Sequence, residues 1–235
     1  MPGHVGIVAC SAEGAALCYR TIALESEPSL GEHNHPRVTL DSIPMAEHMA
    51  CIRRNDWRGV GELLLDSARR VAAAGATFAV CPDNTVHRSF PFFVERSPIP
   101  FLHIAEVVAD EAQRRGFRKI AVLGTRYLME SDVYPEAFAP RKMAWEIPDA
   151  PDRERINAII FQELVKGVFP EASRRYLNGV IGTLAARGCD AAALVCTELP
   201  LIVRPDEAPL PTLDSTRLLA RAAIARAARE NGRKP

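Results

Sequence analysis

Two short polar turns carry the residue types from which proton-transfer chemistry is built. One reads Cys81-Pro82-Asp83-Asn84-Thr85 and the other Val195-Cys196-Thr197-Glu198. Thiols and carboxylates both exchange protons near neutral pH when their surroundings tune them. Cysteine suits the task, because its ordinary pKa of about 8.5 falls beside a cation or a helix N-terminus. Cys196 follows the apolar run Ala191-Val195, so it stands where a buried strand gives way to backbone N–H groups with no strand partner. That setting makes it a candidate acid or base at carbon. The competing reading is a small buried thiol without chemistry. Moving a proton at the α-carbon of a carboxylate forms a carbanion beside a negative charge. An enzyme that lacks a cofactor then needs a proton-transfer group on each face and donors for the developing charge.

The elements that must position these turns alternate as β-α units around parallel sheets. Strands are expected at Val5-Ala9, Arg37-Leu40, Thr77-Cys81, Ile120-Leu123, Met143-Glu146, Ala192-Val195 and Leu210-Leu213. Helices are expected over Ser11-Glu25 with Ser11 as N-cap, Trp57-Ala74, Ala105-Arg115, Asp152-Lys166, Glu171-Arg187 and Ser215-Arg229. Gly75, Gly116 and Gly188 close three of them. Asn231-Pro235 reads as a frayed tail. Ser97-Pro98-Ile99-Pro100 is a natural boundary, after which the plan restarts. Each half has a long helix ending in glycine, then a strand ending in cysteine, then a polar turn with threonine. This is the mark of a weak internal duplication. Ligands of open parallel sheets bind beyond the carboxyl ends of the strands, where both turns lie.

Bulk properties exclude several classes. Lysine plus arginine equals aspartate plus glutamate at 29 each, so no net field draws in nucleic acid or an anionic membrane. No apolar run is long enough to cross a bilayer, and the N-terminus lacks a secretory pattern, so a cytoplasmic protein is expected. The six cysteines, at 10, 18, 51, 81, 189 and 196, contain no Cys-x-x-Cys pair, so no metal is expected. The loops carry neither a P-loop nor a dinucleotide fingerprint, and no cofactor is expected.

Several blocks, taken in order, resemble one family. They are Gly6-Ile7-Val8-Ala9-Cys10-Ser11-Ala12-Glu13-Gly14 with Tyr19-Arg20, Asn55-Asp56-Trp57, Asp83-Asn84-Thr85-Val86-His87, Leu102-His103-Ile104-Ala105, Leu123-Gly124-Thr125, Glu163-Leu164-x-Lys166, Val195-Cys196-Thr197-Glu198-Leu199-Pro200-Leu201 and Leu213-Asp214-Ser215-Thr216. They are similar to the aspartate/glutamate racemases, isomerases that work without pyridoxal phosphate, and the likeness runs through nearly the whole chain. The resemblance implies two α/β lobes with parallel-sheet cores, related by a pseudo-two-fold axis, with the active site between them. The first lobe would comprise residues 1–98 and 213–235, the second 99–212. It further implies a homodimer and a small amino-acid or carboxylate substrate. Cys196 matches the second catalytic cysteine. Asn84, Thr85 and Thr197 match positions that hold the α-carboxylate. Ser11 lies in the substrate loop, Thr125 and Glu198 lie in matching blocks, and Lys166 lies in the block that supplies a cation to a distal carboxylate.

The match breaks at one position. The family's first catalytic cysteine precedes Asn-Thr, and here that residue is Asp83. An exposed aspartate, with a pKa of about 3.9, is a poor base for a carbon acid unless burial raises it. Asp83 is read as a second acid/base, or as a binding group that leaves Cys196 to act alone, or as a bystander to Cys81 two residues earlier. The first gives a racemase of an acidic amino acid. The second gives a one-cysteine decarboxylase or isomerase of a non-amino dicarboxylate, as in the related arylmalonate decarboxylases. A non-catalytic homologue that kept the cleft is a further reading. Other candidates are Cys10, His87 and Arg53, the last as a cation from the Arg53-Arg54-Arg58 cluster. His103 reads as structural.

Overall fold

The computed structural model describes residues 3–230. Along the chain come β1 (Val5–Ala9), α1 (Ala12–Glu25), α2 (Glu27–Leu30), β2 (Val38–Ser42), α3 (Met45–Arg53), α4 (Trp57–Ala73), β3 (Phe78–Val80) and β4 (Phe101–Leu102). There follow α5 (Ile104–Arg114), β5 (Lys119–Leu123), α6 (Arg126–Met129), α7 (Val133–Phe138), β6 (Ala144–Glu146), α8 (Ala150–Gln162), α9 (Glu171–Ala186), β7 (Ala191–Leu194), α10 (Leu199–Ile202), β8 (Thr212–Asp214) and α11 (Ser215–Glu230). The chain divides into two compact units, Met1–Ile104 with Thr216–Pro235, and Ala105–Ser215.

Each unit is built on a four-stranded sheet whose paired strands run parallel, ordered β2-β1-β3-β4 in one and β6-β5-β7-β8 in the other. Counted from the first strand of each unit, the two orders are the same, as a duplication requires. The central strands are buried on both faces, which is why β1 reads Val-Gly-Ile-Val-Ala without alternation. The core of the first unit forms where α4 lays Val60, Leu64, Leu65, Ala68 and Val71 on the sheet. Each such side chain contributes roughly 1.5–3 kcal/mol when fully buried. Gly6 permits that approach, because a Cβ there would stand 2.7 Å from Val71 Cγ2. The second core joins Ile156, Ile160, Leu177, Ile181 and Leu184 to β5 and β7.

Several bounds differ from the sequence reading. The third strand stops at Val80, because Pro82 has no N–H to extend the ladder. Phe101–Leu102 adds a fourth strand to the first sheet, beyond the expected boundary at 98. Pro100 aids that pairing, since its carbonyl accepts from Ala79 N–H at 2.8 Å. The strand at Thr212–Asp214 pairs with β7, so the chain returns to the first unit at Thr216 rather than 213. The helix expected to reach Lys166 ends at Gln162. A separate 3₁₀ turn, Leu164–Lys166, then closes on Gly167 at φ 73°. Helix α3 was not foreseen, because it starts on Pro44 without a side-chain cap and buries only His48 and Ile52. The expected frayed tail Asn231-Pro235 lies outside the described residues.

Candidate active site

In the first unit, the carboxyl ends of adjacent strands β1 and β3 bring Cys10-Ser11 and the 81–85 turn to one edge of the sheet. Ser11 is buried and caps α1, its Oγ accepting from Gly14 N–H at 3.2 Å. The Cys10 and Cys81 thiols are hydrogen-bonded. That bond, then burial and the nearby Cys81 and Asp83, pushes the Cys10 thiol well above its ordinary range. Burial likewise pushes Cys18 up to about 12. Cys10 and Cys18 therefore stay protonated, and Cys81, with 0% exposure, is enclosed beside them. Asp83 is only half-buried. Its Oδ1 accepts from Thr85 N–H at 3.1 Å, which fixes the turn as Asn84, buried, passes into the 3₁₀ segment Thr85–Phe92. Of the two groups proposed for the first turn, Asp83 is the accessible one.

His87 faces inward. Its ring stacks on Phe90 at 4.0 Å between centroids and meets His103 edge-on at 4.5 Å. Nε2 lies 3.0 Å from Cys81 O. A carbonyl only accepts, so Nε2 carries the proton. Burial, and next the electrostatic influence of the neighbouring His103, hold His87 well below the usual histidine range. It is a neutral imidazole. Arg53, at the end of α3, is exposed; Arg54 reaches Cys51 Sγ at 3.9 Å, and the Arg58 guanidinium sits 5.3 Å from the Phe92 ring centre.

In the second unit, β7 delivers Cys196, Thr197 and Glu198 in succession, all buried. Cys196 Sγ donates to Glu198 Oε2 at 2.9 Å, and Thr197 Oγ1 donates to the same oxygen at 2.7 Å. The resting thiol thus has a carboxylate acceptor in place, a contact that motif spacing alone does not reveal. The neighbouring exit from β5 approaches closely: a Cβ on Gly124 would stand 2.9 Å from Val195 O. Thr125 is buried and caps α6 by accepting from Leu128 N–H at 3.3 Å. Below the turn, Ser215 Oγ donates to Leu194 O at 3.0 Å. The buried Tyr134 is hydrogen-bonded to that serine, and burial pushes its phenol well above the ordinary range. Sequence reading missed Tyr134, which sits in no motif. Lys166 is exposed on its 3₁₀ turn, and its ammonium meets no carboxylate among the described residues. The structure therefore gathers Cys10, Ser11, Cys81, Asp83, Asn84, Thr85 and His87 in one unit, and Thr125, Cys196, Thr197 and Glu198 in the other.

A family model described as Asp/Glu/Hydantoin racemase matches residues 7–223. The chain is similar to a glutamate racemase of Thermus thermophilus, 29% identical over 194 residues, covering 78% of this chain and 65% of that protein. It thus spans just under two thirds of that relative's length. It is also similar to a broad-specificity amino-acid racemase of Bacillus subtilis, at 21% identity with 81% and 82% of the two chains covered. Among solved structures, one from Yersinia pestis, provisionally assigned as an Asp/Glu racemase, is 32% identical with a TM-score of 0.87, covering 96% of this chain and 99% of that one. An aspartate racemase homologue from Pyrococcus horikoshii is 25% identical with a TM-score of 0.83, covering 97% and 100%.

Proposed function

The chain belongs to the Asp/Glu/Hydantoin racemase family, and on that premise we propose that it is an amino-acid racemase, independent of pyridoxal phosphate, acting on an acidic amino acid. Asp83 and Cys196 exchange the α-proton. In one direction the Asp83 carboxylate takes the proton from one face of the α-carbon. The Cys196 thiol then delivers its own proton to the opposite face, leaving a neutral Asp83 and a Cys196 thiolate. The reverse direction runs the same steps backwards, and proton exchange with water resets the pair. Asn84, Thr85 and Thr197 hold the α-carboxylate, and Ser11 and Thr125, at the ends of β1 and β5, line the same substrate. Lys166 or Arg53 meets the distal carboxylate. Catalysis as a cytoplasmic homodimer belongs to the same proposal; no helix among the described residues is long and apolar enough to cross a membrane.

The observation that carries this reading is the Cys196–Glu198 hydrogen bond of 2.9 Å. A thiol held by a buried carboxylate acceptor has a proton to give and a fixed orientation, which a merely structural cysteine does not need. The test is loss of the α-proton signal of L- and D-aspartate and L- and D-glutamate in deuterated water, followed by proton NMR, with optical rotation read in parallel. Wild-type protein should show both. Cys196→Ala and Asp83→Asn should each abolish racemisation and leave exchange on at most the one enantiomer whose proton-removing group remains, and an inert wild type on all four amino acids refutes the proposal.

Asp83 Oδ1 is already committed to Thr85 N–H, at 3.1 Å. That commitment favours a second reading in which Asp83 only binds and Cys196 protonates a carbanion left by loss of carbon dioxide from a non-amino dicarboxylate. Carbon dioxide release from a substituted malonate, without exchange on any amino acid, selects it.

A further inference from the structure

One residue ties both ends of the first turn. His87 donates from Nε2 to Cys81 O at 3.0 Å and from its backbone N–H to Asn84 O at 3.2 Å. Asp83 lies inside that span, and Pro82 within it has no N–H to contribute. The imidazole is packed face-on against Phe90 and edge-on against His103, and Phe90 is packed in turn against Phe93 and Phe101. The ring is 1% exposed, so the aromatic cluster fixes its position and solvent does not compete for its donor. Nε2 bears the proton because its partner is a carbonyl, and Nδ1 has no hydrogen-bond partner among the described residues. A leucine would fill much of the space. The histidine adds one feature, a donor aimed at the carbonyl two residues before Asp83.

From this geometry we infer that His87 is a positioning residue for proton transfer by Asp83: its two hydrogen bonds set where the Asp83 carboxylate stands, and it touches no substrate itself. The inference rests on the racemase reading, with Asp83 as one of two proton-transfer groups. A turn released at Cys81 lets the carboxylate drift, and a displacement on the order of 1 Å at a reacting group costs about 100-fold in rate.

His87→Leu and His87→Gln serve as the paired variants, since glutamine restores an N–H donor at about the reach of Nε2. The probes are the two enantiomers of whichever acidic amino acid the wild type racemises, each with α-hydrogen and with α-deuterium. In a two-group racemase each enantiomer loses its proton to a different residue. Slowing only the Asp83 step therefore moves the two deuterium effects on kcat/KM apart. His87→Leu should raise the effect for the enantiomer that Asp83 deprotonates, lower it for the other, and reduce kcat roughly 10–100-fold. His87→Gln should recover most of both. A fold defect shrinks the active fraction and leaves both isotope effects where they were. Isotope effects in His87→Leu equal to those of the wild type, or shifted alike for both enantiomers, overturn the inference while leaving the racemase reading intact. A wild type that exchanges no α-proton overturns both, and is distinguished because it appears before any variant is made.

Discussion

His48 should make this protein acid-labile by an amount that its burial sets. The ring on α3 is 2% exposed, and neither nitrogen has a hydrogen-bond partner among the described residues. Burial lowers its pKa from 6.5 to about 4. The unfolded chain therefore binds a proton at a pH where the folded chain does not. The stability linked to His48 is fully present above about pH 6.5 and is lost progressively as pH falls toward 4. Each unit of pH inside that window costs about 1.4 kcal/mol, so the whole window is on the order of 3 kcal/mol, and the step from pH 7 to pH 5 about 2 kcal/mol. The perturbation is His48→Leu, which places an apolar helix former at this buried site. Urea unfolding of both proteins at pH 7 and pH 5 gives four free energies. Other buried histidines contribute equally to both proteins, so the difference between the two pH dependences isolates His48. The variant should lose about 2 kcal/mol less than the wild type between those pH values, whatever its absolute stability. Equal losses in the two proteins refute the account.

Glu198→Gln removes the charge that accepts the Cys196 proton; alkylation of Cys196 by iodoacetamide at neutral pH should speed up roughly 10- to 100-fold, the weight of a charge-assisted hydrogen bond of about 1.5–3 kcal/mol, as read by mass spectrometry of the modified peptide. Ser215→Ala strips the donor from Leu194 O and removes the hydrogen bond between Ser215 and Tyr134, and should cost about 1–3 kcal/mol in urea unfolding. Gly124→Ala sets a Cβ 2.9 Å from Val195 O and should cut α-proton exchange while circular dichroism stays that of the wild type.

The central strands of both sheets were legible because burial on both faces leaves unbroken apolar runs such as Val5–Ala9 and Ala191–Leu194, whereas the two-residue edge strand Phe101–Leu102 is too short to leave a pattern. The long helices were legible through their apolar stripes and the glycines that end them. Helix α3 was not, since two buried residues make no stripe. The turns were found as motifs, but motif spacing does not say which way a side chain points. It placed His87 and Cys81 beside Asp83 without showing that both face the interior. It placed Glu198 next to Cys196 without showing that the carboxylate accepts a hydrogen bond from the thiol. The Tyr134–Ser215 contact joins residues far apart in the chain, and no local pattern encodes such a meeting.

The two sheets share one strand order, yet the strands β3 and β7, in matching places, end in unlike groups, a carboxylate at Asp83 and a thiol at Cys196. Under the proposed roles, the mirror-image substrates are not met by mirror-image chemistry. Thermodynamics still holds the final mixture at equal parts. The approach to it is another matter: carboxylate and thiol respond differently to pH and to heavy solvent. At saturation the two enantiomers would then be consumed at different rates, a kinetic handedness in an enzyme whose product has none.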